Sequence, residues 1–152
     1  RARIAAEDLG ARAAESREEA LGADLVVTVT PGNEVLFPEG SLQPGQHVSL
    51  IGADGPGKAE IAATELARTH VFCDDWGQAS HGGELTAAVD AGLLGEADVG
   101  RIGAVLAGDA PGRGGAAEIT TFDSTGLAIQ DLAVALAALA SASELELARL
   151  TL

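Results

Sequence analysis

A chain of 152 residues, 47% of them hydrophobic, is one domain's worth of sequence and enough to bury a core of its own. Its formal net charge of -14, from 23 acids against nine Lys plus Arg, repels the phosphate backbone that a nucleic-acid binder must neutralise, so nucleic acid is set aside as a partner. No apolar run approaches the roughly 20 residues of a membrane span and no signal-peptide pattern opens the chain, so it reads as soluble and cytoplasmic, with no membrane partner. The single cysteine, Cys73, makes neither an internal disulfide nor a cysteine-based zinc site, which leaves stability to packing. High acidity with one lysine, much alanine and few aromatics suits a surface adapted to high salt, and equally an acidic mesophilic one.

In chain order, Ile4 to Leu9 reads as the end of a helix closed by Gly10, and Ala11 to Ala14 as a short buried strand. Ser16-Arg17-Glu18-Glu19 has the form of a capping box opening a helix that stops near Gly22. Asp24 to Thr30 (DLVVTVT) is the cleanest strand, halted by Pro31-Gly32-Asn33; its nearly continuous apolar character predicts a parallel sheet covered on both faces. Val35 to Phe37 is a brief extended piece, and Pro44-Gly45 turns into a second buried strand, His47 to Ile51. The Gly/Pro loop that follows leads to a helix predicted over Lys58 to Arg68, with Ile61, Ala62, Leu66 and Ala67 on its buried face. His70 to Cys73 is the next strand, ended by Asp74-Asp75-Trp76. Helices are predicted over His81 to Leu94, interrupted near Gly92, and over Val99 to Ala107, ended by Gly108. Asp109 to Gly115 is a loop, Ile119 to Phe122 a short strand, and Leu127 to Leu139 a strongly apolar helix that the acidic tail from Ser143 extends.

This alternation predicts an α/β domain with a mainly parallel sheet, in which ligands sit beyond the carboxyl ends of the strands. Thr30, Asp54, Asp74 and Ser124 all fall at such ends and are expected to converge on one cleft. Asp54, followed by Pro56 and Gly57, reads either as a helix cap or as a carboxylate that exchanges protons with a substrate. Lys58, the only lysine, is either a solvated helix residue or an anion contact at a helix N-terminus. Thr28 reads as strand packing, whereas Thr30 at the strand exit is placed to reach a ligand. Ser124 and Thr125 either cap the last helix or face the cleft. Asp74, Asp75, His81 and Glu84 are donors within a short span, but their spacing matches no metal motif, so no metal is assigned. His47 and Cys73 read as core. No G-x-S-x-G elbow, P-loop, HExxH or G-x-G-x-x-G is present.

Three stretches in order, HVSLIGADGPGKAEI, DDWGQASHGGEL and EITTFDSTGLAIQDLAVA, resemble the C-terminal half of the ornithine cyclodeaminase and mu-crystallin family, with wording most similar to its archaeal alanine dehydrogenase branch. The resemblance implies a partial Rossmann-like fold. Residues 1–122 would be the C-terminal part of an NAD(P)-binding domain, and residues 123–152 a helical segment packing on an N-terminal domain outside this sequence. It implies NAD or NADP as cofactor, a small amino acid as substrate and a homodimer of the full-length protein. Asp54 would be the proton donor and acceptor near the substrate, with Thr125 beside it. Thr30, Lys58 and Ser124 would contact the cofactor, and Gly52 and Ala53 would pass their backbone beside the nicotinamide. Hydride would leave the carbon bearing the amine, giving an iminium attacked by water in an alanine dehydrogenase or by the side-chain amine in an ornithine cyclodeaminase. Cyclodeaminases usually carry valine where this chain has Thr125. A ketimine reductase and a truncated, non-catalytic binding module are the other readings. The Gly-rich loop and the cationic groups that grip the substrate carboxylate are expected in the N-terminal half.

Overall fold

A computed structural model describes residues 1–52, 55 and 57–142. Two short helices, α1 (Ala2–Asp8) and α2 (Arg17–Leu21), precede the first strand, β1 (Leu25–Thr28). The chain continues through β2 (His47–Leu50), α3 (Ala63–Leu66), β3 (His70–Cys73), α4 (Trp76–Gly82), α5 (Thr86–Asp90), β4 (Val99–Arg101), α6 (Ile102–Ala107), β5 (Thr120–Asp123) and α7 (Ala128–Ala140). The strands form one five-stranded sheet in the order β1-β2-β5-β3-β4, and every pairing is parallel. The predicted α/β class therefore holds. Among the described residues no helix is long and apolar enough to cross a membrane.

The core lies on one face of the sheet. Val26, Val48, Leu50, Val71 and Cys73 point there from the strands and meet Leu66, Ala79 and Ala88 from α3, α4 and α5, with Phe37, Leu42, Ile61 and Leu85 filling in from the connecting segments. Strand alternation sends the other side chains to the opposite face. On β1 that face is bare: Leu25 is 64% exposed, Val27 56% and Val29 72%. The expectation of a strand covered on both faces is thus corrected, because nothing among the described residues packs over that side. Helix α7 forms where it was predicted, yet Ile129, Leu132, Val134, Leu136 and Leu139 all stand exposed along it.

Local chemistry explains where the other elements start and stop. Gly10 is left-handed (φ 62°) after α1, and Gly108 (φ 81°) closes α6 as predicted. Ser16 caps α2, accepting from the Glu19 amide at 3.1 Å, but the box is not reciprocal: Glu19 turns to the Glu15 amide and to Arg12 instead. Ser16→Ala is expected to weaken that turn by about 1 kcal/mol, seen as faster amide exchange at Glu19 and Ala20 with no change at Val48.

Several predicted boundaries move. Residues 11–14 form no strand, since four small residues with no neighbouring strand have nothing to pair with. The helix predicted over His81 to Leu94 is two pieces, α4 and α5. Asp75 starts the first by accepting from the Gln78 amide at 2.9 Å, and Gly83 breaks it in an extended conformation. The stretch predicted as helix from Val99 begins as β4, because Gly100 lies flat against the Phe72 ring and lets the strand pair with β3. The tail from Ser143 lies outside the described residues.

Candidate active site at the carboxyl ends of the strands

The predicted helix over Lys58 to Arg68 shrinks to α3, and the residues before it form a loop with its own architecture. The Glu60 and Ile61 amides donate to the Glu84 carboxylate, at 2.7 and 3.0 Å from Glu60 and 3.3 Å from Ile61. The Glu60 carbonyl accepts from the amides of Leu36 and Phe37 at 2.7 and 3.0 Å. Backbone groups engaged sideways in this way are not available for helical bonds, so the helix starts only at Ala63. Lys58 consequently sits half-buried in a loop, its amide donating to the Gly55 carbonyl at 3.2 Å, and not at a helix N-terminus.

Because β5 lies between β2 and β3, the exits of three strands stand side by side. Leu50 is paired with Asp123, and the Ser124 amide donates to the Leu50 carbonyl at 3.0 Å. Ser124-Thr125 therefore leaves the sheet beside Ile51-Gly52. On its other flank is Asp74, at the end of β3. Asp74 Oδ1 accepts from the Thr125 hydroxyl at 2.7 Å and the Asp75 amide at 2.8 Å; Oδ2 accepts from the Thr125 amide at 2.8 Å and, more distantly, from the Ser124 hydroxyl at 3.5 Å. A shallow hollow beside Thr125 is lined by Gln78, His81 and Gly82.

At the exits of β1 and β2, Glu60 plays the matching part. It is fully buried, and its carboxylate accepts from Thr28 Oγ1 at 2.5 Å, the Thr30 amide at 2.9 Å, Thr30 Oγ1 at 2.6 Å and the Gly52 amide at 3.2 Å. Thr30 and Gly52 are thus joined through Glu60, and Ser124 and Thr125 through Asp74. Asp54 and Ala53 lie outside the described residues.

The three acids and the histidine considered for a metal go separate ways. Asp74 holds Thr125, Asp75 caps α4, Glu84 holds the 60–61 backbone, and His81 meets Ser80 and the Gly77 carbonyl. Among the described residues no three metal-binding side chains gather. Cys73 is buried as expected, its thiol pushed up to about 11 by burial and by the nearby Asp123 carboxylate. His47 is only half-buried, hydrogen-bonded to Thr120 and Ser49 and held below its usual range by burial.

Sequence reading assigned no site role to Glu60 or Asp123, and saw Glu84 only as a possible metal ligand. All three are essentially buried, with Glu84 at 2% exposure. The available signal was context: each is an acid set among apolar and small residues (KAEIAA, GGELT, TTFDS), and alternation in TTFD puts Asp123 on the same buried face as Thr121. Asp123 Oδ2 accepts from the Leu85 amide at 3.3 Å, while its Oδ1 is buried with no hydrogen-bond partner.

The edge fits the nicotinamide end of a dinucleotide on the chemistry of its donors. Its two organising carboxylates are saturated by the chain's own N–H and O–H groups. Among the described residues, the half-buried lip they leave is therefore one of hydroxyls and backbone, with half-buried Lys58 in the loop that follows Gly52.

An alanine dehydrogenase from Archaeoglobus fulgidus is 47% identical over 131 residues, covering 85% of this chain and 41% of its own length. The solved structure of an archaeal alanine dehydrogenase dimer with bound NAD superposes with a TM-score of 0.82 at 43% identity, covering 91% of this chain and 45% of that one. The iminosuccinate reductase of Paracoccus denitrificans, solved in complex with NAD+, superposes at 0.83 with 39% identity, covering 93% and 45%. The chain spans less than half the length of these relatives. The profile of the ornithine cyclodeaminase/mu-crystallin family matches residues 2–144, and the chain belongs to that family.

Proposed function

We propose that this chain supplies the nicotinamide half of the cofactor domain, and the proton-transfer residue, of an NAD-dependent dehydrogenase that oxidatively deaminates a small L-amino acid, most like alanine. The observation that carries the reading is the side-by-side exit of Gly52 and of Ser124-Thr125, fixed by Asp74, on a chain 47% identical to an alanine dehydrogenase. Bound NAD supplies the hydride acceptor. The chain's own part is to bind and orient. Gly52 and Ala53 present backbone to the nicotinamide, while Thr30, Lys58 and Ser124 hold the cofactor. Of these, Thr30 already donates its hydroxyl to Glu60, so its contact is made with the lone pairs left over. Thr125, beside the hollow at Gln78 and His81, lies next to the substrate. Asp54 takes and returns the protons as the amine becomes an imine and water adds.

In the same reading, residues 1–122 are the cofactor-domain portion. Residues 123–152 carry the apolar helix α7 onto the N-terminal domain of the full-length protein, which would be a homodimer in the cytoplasm. Joining this chain to the N-terminal half of the Archaeoglobus fulgidus relative and following alanine-dependent NADH formation tests the proposal. Activity lost by about 100-fold in Asp54→Asn is expected. Proline formed from ornithine, with no NADH from alanine, would instead make the chain a cyclodeaminase.

A further inference from the structure

The loop between β2 and α3 carries Gly52, Ala53, Asp54 and Lys58; its described residues from Gly52 to Glu60 lie in no helix or strand, and Gly57 among them is left-handed (φ 78°). Among the described residues, its two ends are tied to one another by the Glu60 side chain. Glu60, the last residue before Ile61 enters the core, reaches back eight residues to the Gly52 amide and across to Thr28 and Thr30 on the neighbouring strand. Resting on the reading above, we infer that Glu60 is a positioning residue of the site: its carboxylate locks the exits of β1 and β2 together and fixes Gly52, where the loop leaves the sheet.

The residue type follows from counting donors. Four converge on Glu60, two hydroxyls and two backbone amides, and an ionised carboxylate offers about four acceptor positions and no donor. Glutamine in the same place would turn an NH2 toward groups that themselves donate. The hydroxyls can rotate away, but the Thr30 and Gly52 amides cannot. Glu60 is in turn fixed from behind, since its own amide meets both oxygens of Glu84. The Ala59 amide adds a second tie from the loop to the β1 exit, donating to the Gly32 carbonyl at 2.9 Å. Glu65 provides the contrast. It is equally buried, but its carboxylate holds the Gly40 and Leu42 amides and Arg68, away from the strand exits.

The test has two readouts. In the 152-residue chain, Glu60→Gln keeps one acceptor oxygen, so amide exchange is expected to speed at least 10-fold at whichever of Thr30 and Gly52 faces the new NH2, while Val48 and Leu50 keep their protection. In the joined enzyme the same change is expected to raise KM for NAD+ at least 10-fold, and Glu65→Gln to leave it unmoved. Unchanged exchange at both amides overturns the inference, as does loss of protection spreading evenly to Val48 and Leu50, or an equal KM rise in both variants. Should Glu60→Gln not fold, Thr28→Val, which removes one donor outside the site, is expected to speed exchange at Gly52 about 3-fold, and no change there would overturn the inference too. The exchange result does not depend on turnover, so an enzyme inactive with alanine but showing the local loss would refute the alanine reading and leave the role of Glu60 standing.

Discussion

Gly52→Ala is expected to destabilise the chain by about 2–6 kcal/mol, a large share of the 5–15 kcal/mol typical of a domain. A β-carbon at Gly52 would fall on the Thr30 carbonyl oxygen and within 2.8 Å of the Glu60 carboxyl carbon, and Thr30 offers backbone there, which cannot swing aside. Relieving the clash moves either the exit of β1 or Glu60. Overpacking of this kind typically costs about 1–3 kcal/mol. Displacing the Gly52 amide from Glu60 leaves a buried carboxylate short of a donor, which adds about 1–3 kcal/mol. Urea unfolding followed by Trp76 fluorescence measures the loss, and a midpoint equal to that of the parent chain would refute the packing described. Gly55, also in the loop, has nothing within 4 Å of its would-be β-carbon, so Gly55→Ala is the internal control.

A second large effect is a stability that falls as pH rises. Burial pushes the Glu84 carboxyl up to about 7, against the opposing donation of the Glu60 and Ile61 amides. Burial likewise pushes Asp123 up to about 7, opposed by the Leu85 amide and reinforced by the Asp74 charge. A carboxyl whose value is raised on folding binds its proton more tightly in the folded chain. Its contribution is therefore fully present below the unfolded values, 4.5 for Glu84 and 3.8 for Asp123, and lost as pH climbs through about 7. Each group is worth on the order of 3 kcal/mol across that window. Two other sets of groups act in the opposite sense: Glu65 and Glu118, held low by hydrogen bonds, remove stability as pH drops below 4.5, and His47 does so as pH drops below 6.5.

The expected profile is a maximum in the mildly acidic range and a decline of a few kcal/mol by pH 8. Unfolding at pH 5.5 and pH 8 in about 1 M salt reads it, since a Debye length of about 3 Å suppresses repulsion among the surface acids but not burial. Asp123→Asn removes one of the two titrations and should flatten the decline. A profile that rises toward pH 8 in the parent chain would contradict the buried, proton-holding state of both carboxyls.

How far the sequence carries depends on the range of the interaction that decides each feature. Strands β1, β2, β3 and β5 were legible because β-branched and apolar runs between turn residues declare themselves locally, and their alternation with helices sufficed for an α/β class with a parallel sheet. Ser16, Gly10 and Gly108 were legible for the same reason, since a cap is chosen by its own few residues. The helix over Lys58 to Arg68 was misjudged because its periodicity was real, while the competing partners for its backbone, Glu84 and the 36–37 segment, lie far away in sequence. Val99 to Arg101 was misjudged likewise, its strand existing only because β3 is there to pair with it.

At the site, sequence by itself determined that Gly52, Ser124 and Thr125 follow strands, and hence that they belong at the carboxyl edge of a parallel sheet. Only the tertiary structure decided the strand order, which seats β5 between β2 and β3 and so brings Thr125 to Asp74. The tertiary structure also decided that Glu60, Glu84 and Asp123 are buried. An acidic side chain is outwardly the same in a sequence whether water or four convergent donors surround it, and those donors come from strands up to 32 residues away.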